Sequence, residues 1–375
     1  MLISKKSMQE AEYIVLEVQG GIGKNIMATA VVRNLKKAYP EKKIIVLAGS
    51  PDVFLKNPNI KRTYHFAQAL YVYEDYFKEA KAVMLSVEPY RHFDYIKKKR
   101  HLVECWCEQI DIPCDSVYPE IFLSENEKAM AQLYLEQFDK EMVLFQGEGG
   151  KDPKDKTNKE KIIASSSMYK RNLTRKTMDE ITAGLIDRGF MVGVVSSPNQ
   201  YLPSKAERIT FSVRAILALI PHVAETICID SFLLHGTAMF KKKCLSLWGG
   251  TNPKCLGYDI NVNLTRQVCD NPMCHRPNSF LFDVESTGFP WDCQHNDACM
   301  DYKAEEILKA FDEMTGGRRG QKRERPKIES EPKPKCSGGC NPDKVGDSHE
   351  DTGLEESSGG VTAKVSAGEG SDRDT

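Results

Sequence analysis

Short apolar runs of strand length alternate with stretches whose apolar residues recur every three to four positions, from near residue 13 to near residue 315. "YIVLEV" reads as a strand, and "NIMATAVVRNLKKAY" places Ile26, Ala30, Val31 and Leu35 on one helical face before the strand "KKIIVLAG". That is a β-turn-α-β unit, the opening of a doubly wound parallel sheet. "YFKEAKAVMLSV" and the helix-like "DYIKKKRHLVECWCEQIDI" continue the rhythm, and "ENEKAMAQLYLEQFDKE" predicts a helix leading out of the first domain. A second cycle follows: strand "MVLFQGEGG", helix "RKTMDEITAGLIDRGF", strand "MVGVVSS", helix "SVRAILALIPHV", strand "ETICID", helix "FLLHGTAMF" and strand "KCLSLWGG". The pattern predicts an α/β protein of two Rossmann-like domains, residues 1–135 and 136–315. They face a cleft at the carboxyl ends of their strands, where such sheets bind ligands.

Composition ends that pattern near residue 316. From "GGRRGQKRERPKIESEPKPK" onward there is no aromatic residue and almost no apolar one. Such a segment buries too little surface to offset its ordering entropy, so residues 316–375 are expected to form a disordered tail. Its Cys336 and Cys340 have no further Cys or His pair at ligand spacing beside them. Fifty-two basic against fifty-three acidic residues give a formal net charge of -1, which supplies no general attraction to nucleic acid or an anionic membrane. No membrane-spanning run or signal-peptide core is evident, and the expected location is cytoplasmic. Cys228 and Cys244, inside apolar runs, fit reduced, buried thiols better than a disulfide framework.

The candidate chemistry begins at "QGGIGKN", directly after the first strand. Glycines followed by lysine at a helix start suit phosphate binding. A phosphate-loop ATPase, however, needs a hydroxyl after that lysine as a Mg²⁺ ligand, and the position holds Asn25. The plain alternative is that Gly20, Gly21 and Gly23 only permit a tight strand-to-helix turn.

In the second half, "ETICIDSFLLHGTAMFKKKCLSLWGGTNP" carries a strand ending in Asp230, Ser231 and His235 in the following turn and helix, and a strand closing on Gly249, Gly250 and Thr251. This order resembles glycosyltransferase family 9, the bacterial heptosyltransferase family. Its members share a strand-end Asp turn, a His five residues later and a strand closing on Gly-x-Thr. Gly23, Lys24, Tyr39 and Pro40, the segment "DVFLKNPNIKRTYHF" and the closing "CMDYKAEEILKAFDEM" also match in order, so the resemblance spans roughly residues 13–315.

The resemblance implies a GT-B fold and inverting, metal-independent transfer of a sugar from a nucleotide-sugar donor, ADP-heptose or similar, to a glycan or other hydroxyl acceptor. It implies an acceptor site on the first domain and a donor site on the second. The implied donor-binding residues are Gly21, Gly23, Ser165, Ser166, Lys170, Arg171, Asp230, Ser231, His235, Gly250 and Thr251. No cofactor is implied for catalysis. For His235, a hydrogen bond to a neighbouring strand is an equal alternative to phosphate contact.

Two positions depart from the family. Lys24 stands where members carry the carboxylate expected as general base, and an ammonium accepts no proton unless its pKa is strongly depressed. Glu17, Glu88 and Asp94 are the nearest alternative bases, with Lys24 otherwise binding an anionic acceptor or the diphosphate. Phe232 replaces a glycine. A catalytically inactive relative that binds a sugar nucleotide or glycan therefore stands as the second function class, and the ATPase as the third. Cys269, Cys274, Cys293 and Cys299 lie within about thirty residues, with His275 and His295 among them. Their identities suit a structural zinc and equally suit packed thiols.

Overall fold

Two parallel sheets organise the chain. The computed structural model describes residues 5–78, 81–149, 171–266, 268, 295 and 298–323. The first sheet joins β1 (Tyr13–Val18), β2 (Lys43–Ala48), β3 (Ile60–His65) and β4 (Ala82–Leu85) in the order β3-β2-β1-β4. The second joins β5 (Met142–Gln146), β6 (Met191–Val195), β7 (Glu207–Ile209), β8 (Glu225–Ile229), β9 (Leu245–Trp248) and β10 (Val262–Thr265) in the order β10-β9-β8-β5-β6-β7. All these pairings are parallel. The central strands are covered on both faces, which is why β1, β2, β5 and β8 read as near-continuous apolar runs. In each sheet the strand order reverses beside its first strand, at β1/β4 and β5/β8, the place where a doubly wound sheet opens a crevice.

The helices are α1 (Lys5–Glu10), α2 (Ile22–Ala38), α3 (Leu102–Gln109), α4 (Glu125–Glu136), α5 (Arg175–Asp187), α6 (Val213–Leu219), α7 (Phe232–Met239) and α8 (Ala304–Thr315), with shorter turns between them. The long helix expected from "DYIKKKRHLVECWCEQIDI" is instead a one-turn segment, Phe93–Ile96, and α3. Lys98 adopts φ 57° between them, and the His101 Nδ1 starts α3 by accepting from the Val103 amide at 3.2 Å. A left-handed residue and a side-chain cap end one helix and begin another, although the helical period runs through both.

A continuous apolar core links the two sheets through α2, α4, α6 and α7. α7 is apolar nearly all round because it is enclosed: Leu233, Leu234, Thr237 and Ala238 are fully buried. Arg214 on α6 reaches into the first half. Its guanidinium donates to Glu127 Oε1 at 2.6 Å and Oε2 at 2.8 Å, and to the carbonyls of Phe122, Asp52 and Leu55.

Residues 316–323, which composition assigns to the tail, pack against the body. Gly316 closes α8 at φ 64°, the Gly320 amide donates to Arg188 O at 2.9 Å, and the Arg323 amide donates to Asp139 O at 2.8 Å. Lys322 forms an antiparallel bridge with Lys140. Backbone hydrogen bonds and ion pairs hold this strap, so hydrophobic pattern carries no signal of it. The remainder of the expected tail lies outside the described residues.

Candidate functional site

At the β1/β4 crevice, β1 runs into Gly20, whose φ of 98° makes the turn into α2. Asn25 ties this turn together: its Nδ2 donates to the carbonyls of Gly20 and Gly21, and its Oδ1 accepts from the Ser50 amide. The position that would hold the Mg²⁺-binding hydroxyl of an ATPase is thus occupied by a fully engaged structural amide. Lys24 is buried against a carboxylate. Its Nζ lies 2.8 Å from both carboxylate oxygens of Glu88, just beyond β4, and 5.2 Å and 5.3 Å from the Tyr90 and Trp106 ring centroids. Burial lowers the Lys24 pKa, opposed by its hydrogen bond with Glu88 and the charges of Glu88 and Glu17. The ammonium is compensated by its partner and by two aromatic faces.

At the β5/β8 crevice, Arg171 Nη1 donates to the Asp230 carbonyl at 2.7 Å, and Ser231 Oγ donates to Gln146 Oε1 at 2.5 Å. Arg171 lies close against Gly149, where an added Cβ would stand 3.2 Å from its Nε. That Nε and Thr251 Oγ1 are buried and find no hydrogen-bond partner among the described residues. Buried donors of this kind point to a bound partner rich in acceptor oxygens.

The two crevices meet where α2 and α7 touch. A Cβ on Gly23 would lie 3.0 Å from His235 Cδ2, so the glycine permits close approach of these helices. His235 Nδ1 is 3.0 Å from the Tyr258 hydroxyl, and burial, with the nearby Arg171 charge, pushes its pKa down to about 3. The imidazole is neutral at physiological pH and belongs to the packed contact. Tyr90 records how near the crevices are. Burial, then the charges of Asp230 and Glu88, push its pKa up, while Arg171 opposes them. We expect Gly23→Ala to lower stability by about 1–3 kcal/mol through overpacking against His235. Chemical denaturation measures this, and an unchanged midpoint would mean that the helices do not meet at this residue.

No family model and no curated protein sequence matches the chain. Solved structures do. A family 9 glycosyltransferase from Veillonella parvula DSM 2008 superposes with a TM-score of 0.53 at 13% identity, over 81% of this chain and 97% of that one. The ADP-heptose lipopolysaccharide heptosyltransferase II of E. coli gives 0.54 at 12% identity, over 80% and 98%. The dodecameric iron-containing heptosyltransferase TibC of enterotoxigenic E. coli, in complex with ADP-D-beta-D-heptose, gives 0.53 at 8%, over 82% and 77%. The fold is that of the family 9 glycosyltransferases.

Within this GT-B fold the sequence-derived candidates divide sharply. Lys24, Gly21 and Gly23 lie at the first crevice, with open space where a Gly21 side chain would be. Arg171, Asp230 and Ser231 are together at the second, and Gly250 and Thr251 follow β9. Glu17 accepts from Gln19 Nε2 at 2.7 Å. Asp94 sits on the Phe93–Ile96 turn, 3.4 Å from Arg100 Nη1. Ser165, Ser166 and Lys170 lie outside the described residues, as do Cys269, Cys274 and Cys293; Cys299 is buried in the second core beside Met300 and Tyr302. Among the described residues no three His, Cys, Asp or Glu side chains converge as a metal site, and no helix is long and apolar enough to cross a membrane. Tyr90, Trp106 and Tyr258, which wall the site, had no motif to mark them. They emerge from loops and short helices whose register depends on tertiary packing.

Proposed function

We propose that this protein is a glycosyltransferase that moves a sugar from a nucleotide-sugar donor, ADP-heptose or a close analogue, to a hydroxyl of a glycan or other acceptor. The observation that carries this is the pairing of two strand-end crevices, one presenting an Arg171 guanidinium whose buried Nε has no partner among the described residues, the other a carboxylate-ammonium pair. Residues 1–135 take the acceptor and residues 136–315 the donor. In the reaction the acceptor oxygen attacks the anomeric carbon with inversion, and the nucleoside diphosphate departs carrying negative charge. Arg171, the amino end of α7 and Thr251 receive that charge, with Lys170 and the Ser165–Ser166 pair contributing from the adjoining segment. These groups supply the electrostatic stabilisation without a catalytic metal. Any zinc bound by Cys269, Cys274, Cys293 and Cys299 would be structural.

The presence of Lys24 in place of a carboxylate favours one competing function, an inactive relative that binds a sugar nucleotide. A panel of nucleotide sugars that includes ADP-heptose, assayed for nucleoside diphosphate release with and without EDTA, separates the classes. Transfer or donor hydrolysis that survives EDTA is expected. Tight donor binding without turnover, with hydroxyl acceptors supplied, would favour the inactive relative, and Mg²⁺-dependent ATP turnover would sink both.

A further inference from the structure

We propose that Glu88 is the general base of the transfer and that Lys24, which replaces the family's carboxylate, is the residue that positions it. This rests on the transferase function proposed above.

Several carboxylates lie on or near the strand ends of the site, Glu148 beyond β5 among them, and their surroundings differ. Asp230 lies at the donor crevice. Glu17 is engaged by Gln19, and Asp94 lies beside Arg100 on the turn after Tyr90. Glu88 alone lies just beyond β4, opposite the α2 turn, joined to Lys24, the residue that stands where the resemblance places a base. Its accessibility is complementary to that of its partner. The Lys24 side chain is 3% exposed and the Glu88 side chain 22%, so the carboxylate is the member of the pair that an acceptor can touch.

The hydrogen-bond inventory leaves it free to act. Glu88 Oε1 accepts from Lys24 Nζ and from the Tyr90 amide at 3.3 Å, whereas Oε2 accepts from Lys24 Nζ alone among the described residues. A carboxylate oxygen has two lone pairs, so Oε2 retains one for an incoming hydroxyl. Two ammonium contacts and a backbone amide fix its orientation, as catalysis by a positioned base requires.

The distance to the donor side is also short. Tyr90 lies under Lys24 Nζ and packs edge-on against Tyr95 with ring centroids 5.2 Å apart, and a Cβ on Gly23, next to Lys24, would lie 3.8 Å from the Phe232 Cα at the start of α7. An acceptor hydroxyl beside Glu88 therefore stands next to the donor crevice. As the acceptor O–H bond breaks, its proton passes to Glu88 Oε2 and its oxygen bonds to the anomeric carbon. The bond from that carbon to the diphosphate oxygen breaks, and the nucleoside diphosphate leaves with the electron pair. Glu88 then returns the proton to solvent through its exposed side.

This arrangement also accounts for a lysine where an acid is expected. Moving the carboxylate from the α2 turn to the segment just beyond β4 keeps it in the same crevice, and the ammonium bonds both of its oxygens.

The test uses the full chain with ADP-D-beta-D-heptose, or whichever nucleotide sugar the panel shows to be turned over. Kinetics, donor binding by calorimetry and thermal melting are measured for Glu88→Gln, Glu88→Asp, Lys24→Met and the Lys24→Met/Glu88→Gln double variant. Glu88→Gln should lose about 10²–10⁴-fold in kcat with donor Kd changed less than about threefold. The double variant leaves no buried ammonium without its counter-charge, so it stays folded and shows the same loss. Glu88→Asp keeps the charge at a shorter reach and should lose about tenfold. Lys24→Met should lose less than Glu88→Gln in kcat. The loss should fall on kcat with donor Kd changed less than about threefold, because the carboxylate loses the ammonium that orients it while the donor crevice is untouched. Folded Glu88 variants that keep kcat within about threefold of wild type would overturn the base assignment, and a folded Lys24→Met that keeps wild-type kcat, or that loses donor affinity in step with kcat, would overturn the positioning role. A wild-type chain that turns over no nucleotide sugar would instead defeat the transferase function itself, which is a separate outcome.

Discussion

Arg171→Ala should weaken nucleotide-sugar binding about 100-fold, equivalent to about 2.7 kcal/mol. The guanidinium is fixed by its Nη1 bond to the Asp230 carbonyl, and its Nε is buried without a partner among the described residues. Truncation removes a preorganised donor aimed at anionic oxygens, and charge-assisted hydrogen bonds are about twice as strong as neutral ones. Arg171→Lys keeps the charge but loses the planar fork, so it should recover only part of the affinity. Calorimetry with ADP-heptose and with ADP alone reads the effect. Equal losses for both ligands place the arginine on the diphosphate, whereas a Kd within about threefold of wild type would remove Arg171 from the donor site.

Arg214→Ala should destabilise the protein by about 3–5 kcal/mol, the range expected when one member of a buried pair is lost. Arg214 is 7% exposed and carries bonds to Glu127 and to three carbonyls of the first half, so the alanine variant leaves a carboxylate and several carbonyl groups without their donor. Its hydrogen bond holds Glu127 down to about 2 from an ordinary value of 4.5, helped by Ser124. The sign follows from linkage. A folded pKa below the unfolded one gives stability that is fully present above about pH 4.5 and is lost as the pH falls toward about 2. Urea denaturation of wild type and Arg214→Ala at pH 7 and pH 3 should show a smaller difference at the lower pH. A difference of under 1 kcal/mol at pH 7 would mean that the pair contributes little to holding the halves together.

The contrast between these arginines shows where sequence ceases to inform. Arg171 stands beside Lys170 in a segment that sequence marks as a candidate, and its guanidinium lies at the β5/β8 crevice, on the Asp230 carbonyl. Arg214 lies in "SVRAILALI", where the helical pattern marks it only as a polar position. Its four partner residues lie between Asp52 and Glu127, far away in the chain, and no local pattern encodes such a convergence. The same holds for Gly23. As one of three glycines in a turn it resembled a phosphate-binding residue, but its close neighbour is His235, brought there by the packing of α7 on α2.

The elements that sequence located best were those whose hydrophobic period is enforced by burial on both faces. Strands β1, β2, β5, β6, β8 and β9 fall within the predicted runs, as do α4 and α7, while α2 begins three residues before its run, at Ile22. Short edge strands escaped. β7 and β10 have partly exposed positions and few residues, so their apolar pattern is too brief to register. Sequence by itself therefore determined the alternation of strand and helix, the doubly wound parallel character of the sheets, the position of both strand-end turns, and the residues that mark them, Lys24 in the first turn of α2 and Asp230 at the end of β8. These follow from local period and turn chemistry. The tertiary structure alone decided that Lys24 pairs with Glu88, that Asn25 braces a turn, that His235 packs against Gly23, and that residues 316–323 strap onto the second sheet. Each of these depends on which side chains the crossings of strands and helices bring within about 3 Å, a distance set by the packing of the whole chain and not by any window of it.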